Sequence, residues 1–284
     1  MRRISKEKMQ ATAIISGLLA VVIFNVFFIF LTDDAIKYMN EIFFVTILII
    51  MIPSAILDFE HSRWINTIND QMPTFVRGIS EAYETGLTLV EAFDHVVKSN
   101  VVKKPLADEI KRITIQMSWG LTFEEALKNF KERVASPMVN RFCAIVLEAS
   151  RSGGEIRKVF TATSGFMEEM READREANAN MRPYILIVYV AFAVFLWIGI
   201  ILLQSFFKPL EGSKQLLSSL SIVGLKEYND FFYKTMIVSG VMGGLMAGKI
   251  GERRIVGGLK HSIVMVIAGY LIFFFLVPPN WVSG

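Results

Sequence analysis

The sequence predicts an all-α, polytopic membrane protein with about five transmembrane helices and a six-helix cytoplasmic bundle. Three observations carry that prediction. Hydrophobic residues make up 53% of 284 positions, 23 of them are Phe, and mean hydropathy is +0.45; soluble domains reach roughly 45–50% apolar even with Gly counted. The apolar residues collect into long runs that flank one charged stretch, Phe59–Arg182, holding 17 Lys or Arg and 18 Asp or Glu. Inside that stretch one phrase occurs twice, 34 residues apart, as Gly86-Leu87-Thr88-Leu89-Val90-Glu91 and Gly120-Leu121-Thr122-Phe123-Glu124-Glu125. In each copy Gly ends one helix in the left-handed conformation, Thr caps the next, and Glu three residues on closes a capping box. Two copies are too few for a stacked repeat, which needs about three, so the phrase reads as helix punctuation within one compact bundle.

Five apolar segments approach the roughly 17–25 residues that cross a bilayer: Ala11–Leu31, Ile42–Leu57, Pro183–Phe207, Phe231–Ala247 and Ser262–Pro279. The first follows Arg2, Arg3, Lys6 and Lys8, but its length and the absence of a small-residue cleavage site make it an anchor rather than a signal peptide. Basic residues mark the cytoplasmic side. They crowd the N-terminus and the connection Lys249–His261, with Lys249, Arg253, Arg254 and Lys260, whereas the turn Thr32–Glu41 has only Lys37 beside three acids. The expected protein is therefore a multi-pass protein of the cell membrane with a cytoplasmic N-terminus, a cytoplasmic segment 59–182, and its C-terminus outside. The divisions are 1–58, 59–182 and 183–284.

The charged stretch parses into Asn66–Thr85, Thr88–Ser99, Pro105–Trp119, Thr122–Val134, Pro137–Arg151 and Glu155–Arg182. Pro105 suits a first helical turn, Ser136-Pro137 forms a cap and first residue, and Gly153-Gly154 separates the last two helices. Apolar residues recur at helical spacing, as in Ile110, Ile113, Met117 and in Ala126, Phe130, Val134, giving a core beneath a charged shell. No strand alternation longer than four residues competes.

The chemistry-bearing residues point away from catalysis. His61, His95 and His261 lack metal-ligand spacing, and no phosphate loop or nucleophile elbow occurs. The reading is a protein without enzymatic activity or cofactor, and nothing points to nucleic acid. The lone Cys143 excludes an intramolecular disulfide and reads as a small buried apolar residue. Basic clusters at Lys103-Lys104, Lys111-Arg112 and Arg151 with Arg157-Lys158 are either a solvated face or a surface that docks an acidic partner or anionic headgroups. Gly240, Gly244 and Gly248 share one helix face, read as packing within the chain, a self-association surface or a sliding surface for another helix. A transporter or channel would need a polar path through the spans, where there are scattered Asn25, Thr46 and Gln204 and one charge, Lys234, near the end of its span. A membrane-anchored signalling scaffold is a second alternative.

Met72-Pro73-Thr74-Phe75-Val76-Arg77, the two Gly-Leu-Thr phrases and Ser152-Gly153-Gly154-Glu155 together resemble the type II secretion system F domain family. These are inner-membrane platform proteins of type II secretion, type IV pili, Tad pili and the archaellum. Gly248-Lys249-Ile250-Gly251-Glu252 and Val256-Gly257-Gly258-Leu259-Lys260-His261-Ser262 are similar to archaeal members, above all archaellum membrane platform protein J. The resemblance spans about residues 60–280. It implies an all-helical cytoplasmic domain, self-association as a homodimer or other homo-oligomer, contact with a cytoplasmic assembly ATPase, and a role in building filaments from pilin-like or archaellin subunits. The basic clusters are then candidates for docking the ATPase. Archaellar members carry the helical module in duplicate and this sequence carries it once, so the chain reads as half of a two-module protein or as a short homologue.

Overall fold

A computed structural model of the chain describes residues 11–12, 14–19, 21–23, 25, 39–151, 156–207, 209 and 225–277. Every regular element among them is helical. The order is α1 Met39–Glu84, α2 Leu89–Lys98, α3 Leu106–Ser118, α4 Phe123–Val134, α5 Pro137–Arg151, α6 Ile156–Leu202, α7 Leu225–Glu252 and α8 Leu259–Leu276. A π-helical turn, Leu203–Phe207, closes α6, and a 3-10 turn, Val256–Gly258, precedes α8. Shorter helix surrounds Ile14–Ile23, within the first expected span, most of whose remaining residues lie outside the described set.

The chain divides into two compact units, one built on Glu60–Ala177 and the other on Ser5–Phe59 with Asn178–Gly284. In the first, the C-terminal part of α1, the helices α2 to α5 and the N-terminal part of α6 enclose a single core of Phe75, Phe93, Phe130, Phe142 and Phe160, with Ile68, Ile79, Ile110, Ile113 and Leu127. Phe75 sits at its centre. Its ring meets Phe93 edge-on at 5.3 Å and 88° and Phe142 at 5.7 Å, geometries that suit the ring quadrupoles. Within this unit α1 and α6 run antiparallel, joined by Arg77–Glu168 at 3.1 Å, Arg171–Asp70 at 3.2 Å and the Ser80–Thr161 hydroxyl pair at 2.9 Å.

Two elements are longer than the sequence parses them. Span 42–57 and helix 66–85 are one helix, α1, because no Gly or capping motif interrupts Asp58 to Ile65 and Trp64 and Ile68 are already buried in the bundle core. Likewise α6 runs from the bundle through Pro183 to Leu202. Proline removes one N–H from that ladder, a loss that membrane helices tolerate. Pro105 occupies the cap before α3, with helix beginning at Leu106.

The second unit packs α6, α7 and α8 through Phe192, Leu196, Ile200, Phe232, Met236, Met265, Val266 and Phe273, and α1 adds Phe43, Phe44, Ile47 and Leu48. Phe44 stacks on Tyr270 at 4.2 Å. Its outer surface stays apolar, with Leu186, Trp197 and Phe275 exposed, as fits an element solvated by hydrocarbon. Three described helices are long and apolar enough to cross a membrane: Asn40–Glu84, Lys158–Phe206 and Val256–Leu276. They cover the second expected span, the third as far as Phe206 and the fifth as far as Leu276. The fourth, Phe231–Ala247, is helical within α7 but is not among the three, because its glycines and Lys234 dilute its apolar content.

Candidate functional site

The repeated phrase builds two identical helix starts. Gly86 and Gly120 have φ of +90° and +93°, a region open to Gly because it lacks a Cβ. The Thr88 hydroxyl accepts the Glu91 N–H at 3.4 Å while Glu91 accepts the Thr88 N–H at 2.9 Å. Thr122 and Glu125 repeat this at 3.2 and 3.0 Å. The backbone and hydroxyl donors of each Thr hold the partner Glu carboxyl below its usual value, because hydrogen bonds to the charged form favour it. Ser136 caps α5 by accepting the Met138 N–H at 3.2 Å. Gly153 and Gly154 lie outside the described residues.

The basic candidates divide. Lys103 and Lys104 lie in the turn entering α3, where the Lys103 N–H donates to Gln71 Oε1 at 2.6 Å and so ties the turn to α1. Lys111 and Arg112 follow on the same helix, and the side chains of all four are exposed. Acids only partly offset them: Lys104 lies 4.0 Å from Asp108, and Arg112 3.5 Å from Glu109. Glu109 is itself buried and accepts from Arg133 Nε at 2.8 Å. Lys158 is exposed on α6, whereas the side chains of Arg151 and Arg157 lie outside the described set. Four of the seven are therefore exposed, two in the turn before α3 and two on α3 itself.

Sequence reasoning missed Trp119. It caps α3 with 78% of its surface exposed, and Ile115, one turn earlier, is exposed too. The signal was the four-residue spacing Lys111, Ile115, Trp119, which falls off the buried stripe of Ile110 and Ile113. Trp is among the residues enriched at binding hot spots.

In the other unit the three spaced glycines of α7 face α8 and the turn before it. A Cβ on Gly244 would lie 2.1 Å from the Ser262 backbone N, and one on Gly248 would lie 2.0 Å from the Gly258 Cα. Gly240 is looser, with Val266 and Phe192 side chains at 3.1 and 3.4 Å from that position. The backbones thus meet directly, and Ser262 Oγ donates to the Val241 carbonyl at 2.8 Å across the gap. Gly199 was not singled out, yet a Cβ there would fall 1.8 Å from the Phe232 ring. Polar links complete the unit: Asn40 to Asp230 at 2.7 Å, Arg254 to Asp58 at 3.1 Å, and Tyr189 to His261 at 2.9 Å.

A charged helical bundle whose first and last helices run on into an apolar helical unit defines an all-α membrane protein. Residues 75–204 match the model of the Type II secretion system (T2SS), protein F family. An uncharacterized protein of Methanocaldococcus jannaschii is 24% identical over 261 residues, covering 92% of this chain and 42% of that protein. The chain thus spans less than half the length of that curated relative. No solved structure matches.

Proposed function

We propose that the chain is a membrane platform that couples a cytoplasmic assembly ATPase to the insertion of pilin-like subunits into a filament. The F-family domain over 75–204 is the observation that carries the reading. In this reading the protein spans the cell membrane five times with its N-terminus and bundle cytoplasmic and its C-terminus outside, and it works as a homodimer or other homo-oligomer. The archaellum-type machine is the favoured setting, on the strength of the Gly248–Glu252 and Val256–Ser262 motifs.

The exposed α3 cations and Trp119 supply the ATPase-docking surface, and Arg151, Arg157 and Lys158 are further candidates for it. Force then travels along α6, whose helix is unbroken from Ile156 to Leu202. The intramolecular fit of Gly240, Gly244 and Gly248 against α8 favours self-association through other surfaces.

The test is affinity capture of the full chain from its native membrane, with identification of a hexameric ATPase or pilin-like proteins. Recovery of a transport substrate or a signalling kinase instead would overturn the platform role. A variant with Lys103, Lys104, Lys111 and Arg112 changed to Glu should bind the ATPase at least tenfold more weakly. Unchanged affinity would remove α3 as the docking surface while leaving the platform role intact.

A further inference from the structure

The starts of α1 and α7 meet in the apolar unit through polar side chains that neither the helix packing nor the platform role uses. Asn40 Nδ2, in the first turn of α1, donates to Asp230 Oδ1, in the second turn of α7, at 2.7 Å. Glu41 follows Asn40 and is exposed, whereas Asn40, Asn229 and Asp230 are half-buried. Tyr233 lies deepest, with 5% of its surface exposed. Access therefore grades from an open carboxylate to a buried phenol.

Two of these side chains are left unsatisfied. Asn229 Oδ1 and the Tyr233 hydroxyl are both buried with no hydrogen-bond partner among the described residues. A buried polar atom without a partner is costly, and a water or a bound ion relieves it. Both atoms belong to one side of α7, since Asn229 is one turn before Tyr233 and Asp230 is three residues before it. Aromatic side chains on a helix lean back over the preceding turn, which brings the hydroxyl toward the Asn229 amide and the Asp230 carboxylate. The Tyr233 ring is held edge-on by Tyr270 at 6.3 Å and Phe273 at 5.6 Å, and the charge of Glu41 reaches it through space.

The cluster is built from oxygen. It offers the Glu41 and Asp230 carboxylates, the Asn229 amide oxygen and a phenol, and among the described residues no three His, Cys, Asp or Glu side chains are grouped to hold a metal. Such a set lacks the nitrogen and sulfur ligands typical of zinc and suits a hard cation, whose usual ligands are carboxylates, amide carbonyls and waters. Lys234, one turn past Asp230, is exposed, so the two carboxylates outnumber the ammonium beside them. We propose that this cluster binds a calcium ion, with Glu41, Asp230 and the Asn229 amide oxygen as ligands and the Tyr233 hydroxyl on a water of its shell. Asn40 holds the Asp230 carboxylate through one oxygen, the arrangement by which an outer partner orients a metal ligand. Calcium is favoured over magnesium because its larger, irregular shell accepts side chains from two separate helices, whereas magnesium demands near-octahedral geometry. The inference does not depend on any filament role.

The full chain in neutral detergent, freed of divalent ions and titrated with calcium, magnesium or sodium chloride at matched ionic strength, tests it through the unfolding midpoint. A ligand that binds only the folded state raises that midpoint saturably. Calcium should give a rise of several degrees and the other two little or none. Asp230→Asn keeps an oxygen for the Asn40 N–H, and it should keep the calcium-free midpoint while losing the rise. Tyr233→Phe removes a hydroxyl without a protein partner, so its calcium-free midpoint should be unchanged or higher. It should nonetheless need about tenfold more calcium for the same rise, the usual effect of removing an outer-shell partner. A purely structural Tyr233 would lower the first quantity and leave the second unmoved. No rise with calcium, an equal rise with magnesium, or an undiminished calcium response in either variant would overturn the proposal. Should Asp230→Asn fail to fold, Tyr233→Phe decides alone.

Discussion

Thr88 and Glu91, and Thr122 with Glu125, put much of the bundle's punctuation into four side chains. Replacing either Thr by Ala should cost about 1 kcal/mol of bundle stability, the usual worth of an N-cap, read from thermal or denaturant unfolding. The two glutamates add a pH dependence of defined sign. Their native pKa values lie below the ordinary 4.5, so their contribution is complete above that value and is lost as pH falls through the lowered native one. The stability gap between wild type and a Glu91→Gln/Glu125→Gln variant should therefore be full at neutral pH and close in acid. Ala135 makes a different case: it ends α4 in the left-handed conformation at φ 51°, exposed, with its N–H on the Lys131 carbonyl. Ala135→Gly should stabilise by about 0.5–1 kcal/mol, the relief of Cβ strain less the added freedom of the unfolded chain. Burial pushes the Cys143 thiol up to about 12. A maleimide at neutral pH should leave it unlabelled in the folded protein and label it fully in denaturant.

Between helices, the decisive quantity is how closely backbones approach. Gly244→Ala and Gly248→Ala place a methyl against the backbone of Ser262 and Gly258, which cannot yield as a side chain can. Each should cost about 1–3 kcal/mol or more, measured by denaturation in mixed micelles. Gly240→Ala meets only side chains beyond 3.0 Å apart from one backbone atom at 3.4 Å, and should cost less than either. In the bundle, Phe75→Ala removes the ring at the centre of two edge-on aromatic contacts and should cost about 3–5 kcal/mol. These helices recognise one another by shape: large rings fill the cores of both units, and in the second the small residues of α7 also let its backbone meet that of α8.

For the molecule as a whole, the continuity of α1 and α6 is the feature with most mechanical content. Inserting two or three glycines near Ala179 should leave the α1–α5 core folded and abolish filament assembly in cells lacking the native gene; normal assembly would exclude a force path through α6. Much of this architecture was legible beforehand. Helical period, capping boxes and apolar runs are local signals, and they located α2 to α5 to within a few residues. The merging of span 42–57 with helix 66–85 was not legible, because an uninterrupted helix is signalled only by the lack of a stop. Trp119 escaped for a related reason. Whether an apolar residue at a helix end turns inward depends on what packs beside it, and a stripe pattern assigns it no side.

Composition and spacing alone were enough to make this an all-α membrane protein with a charged helical module, because the partition of apolar and charged residues and the capping chemistry act within a few residues of chain. Which surface each glycine meets, which acids are consumed by which cations, and where Trp119 stands exposed were decided by the tertiary structure. Those are relations between residues distant in sequence, such as Gly244 with Ser262 and Arg254 with Asp58, and only the close approach of packed helices creates them.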